Sequence, residues 1–485
     1  MKEQKYVTTP IEPMHSPTDD GVTAEDLGRV LFIGIGGVGM SGLARLYATR
    51  GLPVSGSELH DWPSLPELAA LGATIHREHA PSNLDGVDTV VRSTAIPETH
   101  IEVAEARGRG IRVMHRSEAL AAAMTGRRSV VIAGTHGKTT TTAMITEILQ
   151  GCGVDPSYVN GGEASVSGSS GQHGSGDVIV IEADEHDRTF LRYRPHVAII
   201  TNVDADHLNN YGDIDNLEAG FAEFGRGTAS GGVVIVCADD ERARRVGETL
   251  RAEGREVATY GTAADADLRI DKMHSTSDGV SYHATYRDEQ LGEFFVPVPG
   301  AHLGLNSAAA VLAALRLGLE PDRIRAALAA FSGVRRRFEL RGTAGGVRVY
   351  DEYAYHPTAM KAALSTLSGI REGGRLIVVF QPYRAYRTRD LRAEIAEALA
   401  IADQAVVMEV FGPGEDVPLS EGGVALHAAV ALPEEDKVFL PDWNDVPGEV
   451  AARARPGDLV VTMGAPPLSL MPPEILAALG GPSTT

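Results

Sequence analysis

Only two cysteines, Cys152 and Cys237, occur in 485 residues. They are too few for a disulfide framework and are not spaced as a metal knuckle, which fits a reducing, cytoplasmic compartment. Aromatic residues are also scarce, at 5% of the chain, and this favours an Ala/Gly/Val-rich α/β enzyme over an all-β domain. Positive charge is in short supply: 44 Lys and Arg face 65 Asp and Glu, a net charge of −21. So acidic a chain repels polyanionic backbones, and nucleic acid is set aside as a partner. No apolar run approaches the ~18 residues of a membrane span, and no basic segment followed by an apolar one opens the chain. What the chain has is glycine, 54 residues of it, and enough length for about three domains at ~150 residues each.

Residues 1–26 carry scattered charge and prolines without an apolar period, and read as a flexible tail. From Arg29 onward, short β-branched runs alternate with glycine-rich turns and Ala/Leu/Arg segments at helical spacing. The runs at 30–33, 130–133, 178–181, 197–201, 233–236, 376–380 and 459–462 predict parallel strands in a doubly wound α/β fold. Breaks at 125–128 and 331–333 divide the chain into units at 27–126, 127–334 and 335–485. Within the middle unit, residues 262–298 read as an added antiparallel meander. Ligands of such sheets bind beyond the carboxyl ends of strands, so chemistry is sought just after each run.

After the first run comes Gly34-Ile35-Gly36-Gly37-Val38-Gly39, a turn that lets backbone approach a pyrophosphate at a helix start. Three readings stand: a dinucleotide site with Glu58 on a ribose, a glycine-rich turn without a ligand, or a nucleotide-diphosphate sugar site. The next motif favours the third. Ala133-Gly134-Thr135-His136-Gly137-Lys138-Thr139-Thr140 follows the second run and opens another helix. Its amides cradle phosphates, Lys138 reaches the β/γ oxygens and the Thr139 hydroxyl can meet Mg²⁺. Only Thr135 and His136 separate its glycines, so the loop is shorter than usual. Acidic stretches end the third and fourth runs, at 182–187 and 201–207, and from them Glu182 and His207 are the chosen metal ligands. Two arginine clusters, Arg335 to Arg337 and Arg384, Arg387 and Arg389, suggest anionic ligands. His76 and His79 read as surface histidines.

The combination resembles the Mur ligase family from about residue 29 to about 475. The similarity rests on the glycine turn through Gly42, Ser93 to Ile96, His115 to Glu118 and the shortened loop from Gly134 to Thr142. It continues through Glu182 to Glu185, Asp206-His207, Pro299 to His302 with Asn306, Arg336 to Phe338, His356 to Thr358, Phe380 to Pro382, and Arg384 with Arg387. The resemblance implies an N-terminal Rossmann-like UDP-binding domain, a central P-loop ATPase-like mixed sheet and a C-terminal Rossmann-like α/β domain. It also implies ATP-dependent amide formation, with Mg²⁺, between the lactyl carboxylate of UDP-N-acetylmuramate and L-alanine through an acyl phosphate. By the same resemblance Gly36, Gly37, Val38, Gly39, Ser93 and Ala95 hold the UDP-sugar. Gly134, Thr135, His136, Gly137, Lys138, Thr139 and Thr140 hold ATP, with His302 and Asn306 at the adenine and Arg337 at a phosphate. Thr139 and Glu182 bind one Mg²⁺ and His207 a second, and Lys138, Glu182 and His207 form the catalytic set. Tyr353, Tyr355, His356, Arg384 and Arg387 line the amino-acid side. Departures cluster in the third unit: Tyr355 and Tyr383 stand where the family has histidine, and Ala359 where it has glutamate. A ligase joining a different carboxylate and amine by the same chemistry therefore remains the alternative. Expected partners are small molecules, without nucleic acid or membrane, for a monomer or homodimer.

Overall fold

β-Branched runs buried on both faces become the strands of three sheets. The computed structural model describes residues 21–480 apart from 164–167, 187, 207, 416 and 419. The first sheet holds β1 (Val30–Ile33), β2 (Val54–Ser57), β3 (Thr74–His76), β4 (Thr89–Arg92) and β5 (Arg112–His115). All pair in parallel in the order β3-β2-β1-β4-β5. The order reverses between β1 and β4, and there a ligand crevice opens beyond the strands' carboxyl ends. Residues 22–27, mostly assigned to the tail by sequence, instead pack on this sheet. Ala24 and Leu27 are fully buried, and Thr125 Oγ1 donates to Val22 O at 2.8 Å. Thr89 Oγ1 also donates to Leu27 O at 2.8 Å and Arg50 pairs with Glu25, so buried apolar side chains, hydrogen bonds and an ion pair together anchor the short segment.

The second sheet has ten strands: β6 (Arg128–Ala133), β7 (Ser157–Val159), β8 (Gly171–Gln172), β9 (Val178–Glu182), β10 (Val197–Ile200), β11 (Val233–Cys237), β12 (Val257–Gly261), β13 (Leu268–Ser275), β14 (Val280–Tyr286) and β15 (Glu289–Val296). Its order is β15-β14-β13-β12-β11-β10-β6-β9-β7-β8. The pairings from β12 through β7 are parallel, while β14 and β15 form the expected antiparallel meander on β13. β10 ends at Ile200, one residue before the sequence run does; Thr201 N still donates to Ala133 O at 3.0 Å, and its hydroxyl donates to His136 O at 2.6 Å. The third sheet comprises β16 (Glu339–Ala344), β17 (Val347–Glu352), β18 (Leu376–Gln381), β19 (Gln404–Met408), β20 (Lys437–Leu440) and β21 (Leu459–Gly464), in the order β16-β17-β21-β18-β19-β20. Only the edge strand β16 pairs antiparallel among these.

The first sheet's helix Val38–Thr49 lies directly on β8. A Cβ on Gly171 would fall 2.1 Å from Gly42 O, so backbone meets backbone where no side chain fits. His173 N also donates to Thr49 Oγ1 at 2.9 Å across this contact. His79, expected at the surface, is partly buried, with Nδ1 3.1 Å from Glu102 Oε2. Glu102 is fully buried and accepts from Ser57 Oγ and Asn83 Nδ2, each at 2.7 Å. A buried carboxylate needs such partners, which is why the histidine turns inward.

Candidate active site

The carboxyl ends of all three sheets face one cleft of about 1910 Å³. Its wall from the first sheet includes Gly37, Val38 and Gly39 after β1 and Ser93 and Ala95 after β4. Gly34 turns at φ 70°, a left-handed conformation that suits glycine, and Gly37 N closes the turn on Gly34 O at 3.1 Å before the helix Val38–Thr49 begins. Gly36 is set apart from these: it lies behind Trp62, which is on the wall, and a Cβ there would sit 2.3 Å from the indole Cδ1. Glu58 also lines the cleft, and its two oxygens accept from Gly36 N at 3.3 Å and His60 N at 3.0 Å.

The phosphate loop lies between β6 and the helix Lys138–Gly151. Gly134 (φ 128°) and Gly137 (φ 81°) make its shortened turn. Any Cβ on Gly134 would strike Thr201 Oγ1 at 2.0 Å, and one on Gly137 would strike Asn306 Oδ1 at 2.5 Å. Gly134 therefore sits behind the cleft wall, whereas Thr135 to Thr140 line it. Lys138 Nζ donates to Gly134 O at 2.6 Å and to Glu185 Oε1 at 2.9 Å. Burial pushes the Lys138 ammonium down, but Glu185, Asp184 and Glu182 outweigh it and hold its pKa above the usual value. Glu185 is itself pushed up to about 7, chiefly by burial, against the pull of Lys138. Thr139 Oγ1 donates to Glu182 Oε1 at 3.0 Å, while Glu182 Oε2 accepts from Gly161 N at 2.6 Å. Arg337 Nη2 reaches Thr139 Oγ1 at 3.3 Å. His302 and Asn306, from the helix Ala301–Arg316, complete this wall, and burial pushes the His302 imidazole down to about 4. His207 lies outside the described residues.

The third sheet contributes Tyr353, Tyr355 and His356 after β17, and Arg384 and Arg387 after β18. Arg387 is 5% exposed and donates from Nη2 to Asp206 Oδ1 at 3.0 Å. Its guanidinium lies 4.7 Å from the Tyr355 ring centre and 5.9 Å from that of Tyr383. Arg384 (φ 67°) donates to Glu415 Oε1 at 3.2 Å. Tyr353 carries the guanidinium groups of Arg336 and Arg337 at 4.7 and 4.8 Å from its ring centre. His356 packs against His136 with ring centres 4.9 Å apart, and burial lowers its basicity.

Sequence reasoning missed the acids that tie these parts together. Asp204 accepts from His136 Nε2 at 2.9 Å and from Thr358 Oγ1 at 2.6 Å, joining the phosphate loop to the third unit. These hydrogen bonds, His136 first, hold its carboxyl well below the usual range. Asp184 meets Arg116 of the first unit at 3.5 Å. Asp184, Glu185, Asp204 and Asp206 all lie in the two strand-end acidic stretches, so their position was visible although their partners were not.

Family models in the same order along the chain match this layout: the Mur ligase family catalytic domain at residues 29–128, the Mur ligase middle domain at 132–314 and the Mur ligase glutamate ligase domain at 336–466. The UDP-N-acetylmuramate--L-alanine ligase of Salinispora arenicola is 64% identical over 458 residues, covering 94% of this chain and 90% of that one. Its counterpart from Acidothermus cellulolyticus is 47% identical over 457 residues, with 94% and 96% covered. The crystal structure of UDP-N-acetylmuramate-alanine ligase MurC from Thermotoga maritima superposes with a TM-score of 0.77 at 25% identity, covering 93% of this chain and 98% of that one. Three models matched in order, around a cleft built from all three parts, establish that this chain belongs to the Mur ligase family.

Proposed function

We propose that the cleft joins L-alanine to the lactyl carboxylate of UDP-N-acetylmuramate, with ATP converted to ADP and phosphate, in cytoplasmic peptidoglycan precursor synthesis. The observation that carries this reading is the single cleft into which a glycine turn, a phosphate loop and an arginine pair open from three sheets. The names of the relatives agree with it. In this reading residues 27–126 take the UDP-sugar, 127–334 take ATP and 335–485 take the amino acid.

A carboxylate is a poor electrophile, and phosphorylating it brings two anions together. Lys138 is placed to offset that charge from the loop, and Arg337 from the third unit. The paired oxygens of Thr139 and Glu182, 3.0 Å apart, make a hard donor set that fits Mg²⁺. Mg²⁺ held there would neutralise phosphate charge, and we assign His207 to a second such ion. His302 and Asn306 are assigned to the adenine side. Arg387, stacked among tyrosines, orients the amino acid through its carboxylate so that the amine faces the acyl phosphate. Amine attack forms the amide, and phosphate leaves as the C–O bond to it breaks. Tyr353, Tyr355, His356 and Arg384 shape that subsite.

The test is phosphate release from ATP and Mg²⁺ with UDP-N-acetylmuramate across a panel of amino acids. Release that requires all components and is fastest with L-alanine is expected. No release with any amino acid overturns the proposal, and release with another amino acid alone overturns its substrate.

A further inference from the structure

Trp62 is a large aromatic side chain left 39% exposed on the wall of a polar cleft. Its seat is built rather than incidental. The indole rests on Gly36, where a Cβ would come within 2.3 Å of Cδ1 and 2.7 Å of Cγ. The following turn is pinned to the same residue, with Ser64 Oγ donating to Gly36 O at 3.1 Å and Leu65 N to Trp62 O at 3.1 Å. From the other side, buried Glu58 holds Gly36 N and His60 N. The pyrrole side of the indole is thus fixed against backbone, and Trp62 borders the cleft.

Sheet order says which part of a ligand meets it. Across the carboxyl edge of the first sheet, Trp62 follows β2, the glycine turn follows β1, Ser93 and Ala95 follow β4, and Arg116 follows β5. Arg116 is the residue that pairs with Asp184 of the phosphate-loop unit. A ligand whose diphosphate lies on the glycine turn, and whose reacting end points to Lys138, therefore extends its nucleoside end toward β2. We propose that Trp62 is the stacking platform for the uracil ring, a specificity residue for the UDP-sugar. This rests on the UDP-sugar reading above. Stacking on an indole suits a flat base with a π-face, and such contacts commonly govern affinity for bases.

The chain's only other tryptophan is Trp443, which lies outside the cleft and donates to Glu474 at 3.3 Å. In the full-length Trp443→Phe protein, emission then reports Trp62 alone. Titration with UDP is expected to quench it saturably, while N-acetylglucosamine 1-phosphate leaves it unchanged. Trp62→Ala should raise the UDP dissociation constant, measured by calorimetry, and the KM for UDP-N-acetylmuramate by roughly 5- to 150-fold. Trp62→Phe should retain most of the affinity, and kcat and the KM for ATP should hardly move in either variant. UDP binding that leaves Trp62 emission unchanged, or an affinity within twofold of wild type in a folded Trp62→Ala, overturns the stacking role but not the UDP-sugar reading. Equal quenching by the sugar phosphate places the sugar, not the base, on the indole and also overturns it. Failure of UDP to bind the unaltered protein would overturn both.

Discussion

Replacing Lys138 by methionine should produce a stability defect that depends on pH, because it strands Glu185. In the native protein the Glu185 side chain is 2% exposed and 2.8 Å from the ammonium. Burial has already raised its pKa from 4.5 to about 7 with the lysine present. The native carboxyl is thus the better proton binder, and between about 4.5 and 7 the wild type loses stability as pH rises and levels off above. Without the lysine the native pKa climbs further, so the decline continues past 7. The gap between variant and wild type should therefore be small at pH 6 and open at about 1.4 kcal/mol per pH unit above 7, reaching about 2 kcal/mol by pH 8.5. Glu185→Gln in the Lys138→Met background should remove this slope. Urea unfolding at pH 6, 7 and 8.5, monitored in the central unit by hydrogen exchange at β6, measures it. A gap that stays constant across these pH values would refute the idea that Glu185 is the buried acid the lysine holds. Phosphate release should be lost in the single variant at every pH.

Arg387→Lys keeps the charge but loses the fork, and hydrogen bonds to charged groups contribute ~1.5–3 kcal/mol. Its KM for L-alanine should rise roughly 10- to 150-fold in a phosphate-release assay, with the KM for UDP-N-acetylmuramate little changed. Gly134→Ala places a Cβ 2.0 Å from Thr201 Oγ1 at φ 128°. It should lose about 2 kcal/mol or more of stability and its ATP binding, checked by thermal melting and nucleotide titration. Gly171→Ala meets Gly42 O at 2.1 Å and should unseat the first unit from the second. The expected outcome is a lower melting temperature and a higher KM for the UDP-sugar at an unchanged KM for ATP.

The strands β1, β6, β9, β10, β11, β18 and β21 were legible because each is a short apolar, largely β-branched run, whereas β2, Val-Ser-Gly-Ser, carries no such run and was not marked. The phosphate loop and the glycine turn were legible for a related reason: positive φ and close backbone approach can be read from local glycine spacing. Long-range pairing was not. Asp204 and Thr358 are 154 positions apart, Asp206 and Arg387 181, and nothing local in either stretch names the other. The same limit explains His79, whose inward turn is set by Glu102, 23 positions downstream. Gly36 shows a related limit: its glycine was correctly marked as special, but nothing local says that the side chain packed against its Cα is an indole from the loop after the next strand.

The net charge of −21 poses a problem for an enzyme whose proposed substrates all present a carboxylate or phosphate, and the cleft answers it residue by residue. Lys138 pairs with Glu185, Arg387 with Asp206, Arg384 with Glu415 and Arg116 with Asp184. Each cation is thus held in place by a carboxylate of its own chain. An uncompensated cluster of buried cations would be costly to fold, whereas paired ones are tolerated and oriented. The consequence for binding is selective. An incoming anion must offer a better set of hydrogen bonds than the carboxylate already there, which a bidentate amino-acid carboxylate or a phosphate can do and a diffuse anion cannot. Two of these pairs, Arg387–Asp206 and Arg116–Asp184, and the Asp204–Thr358 hydrogen bond cross the junctions between units, so substrate recognition and the relative placement of the three sheets draw on the same side chains.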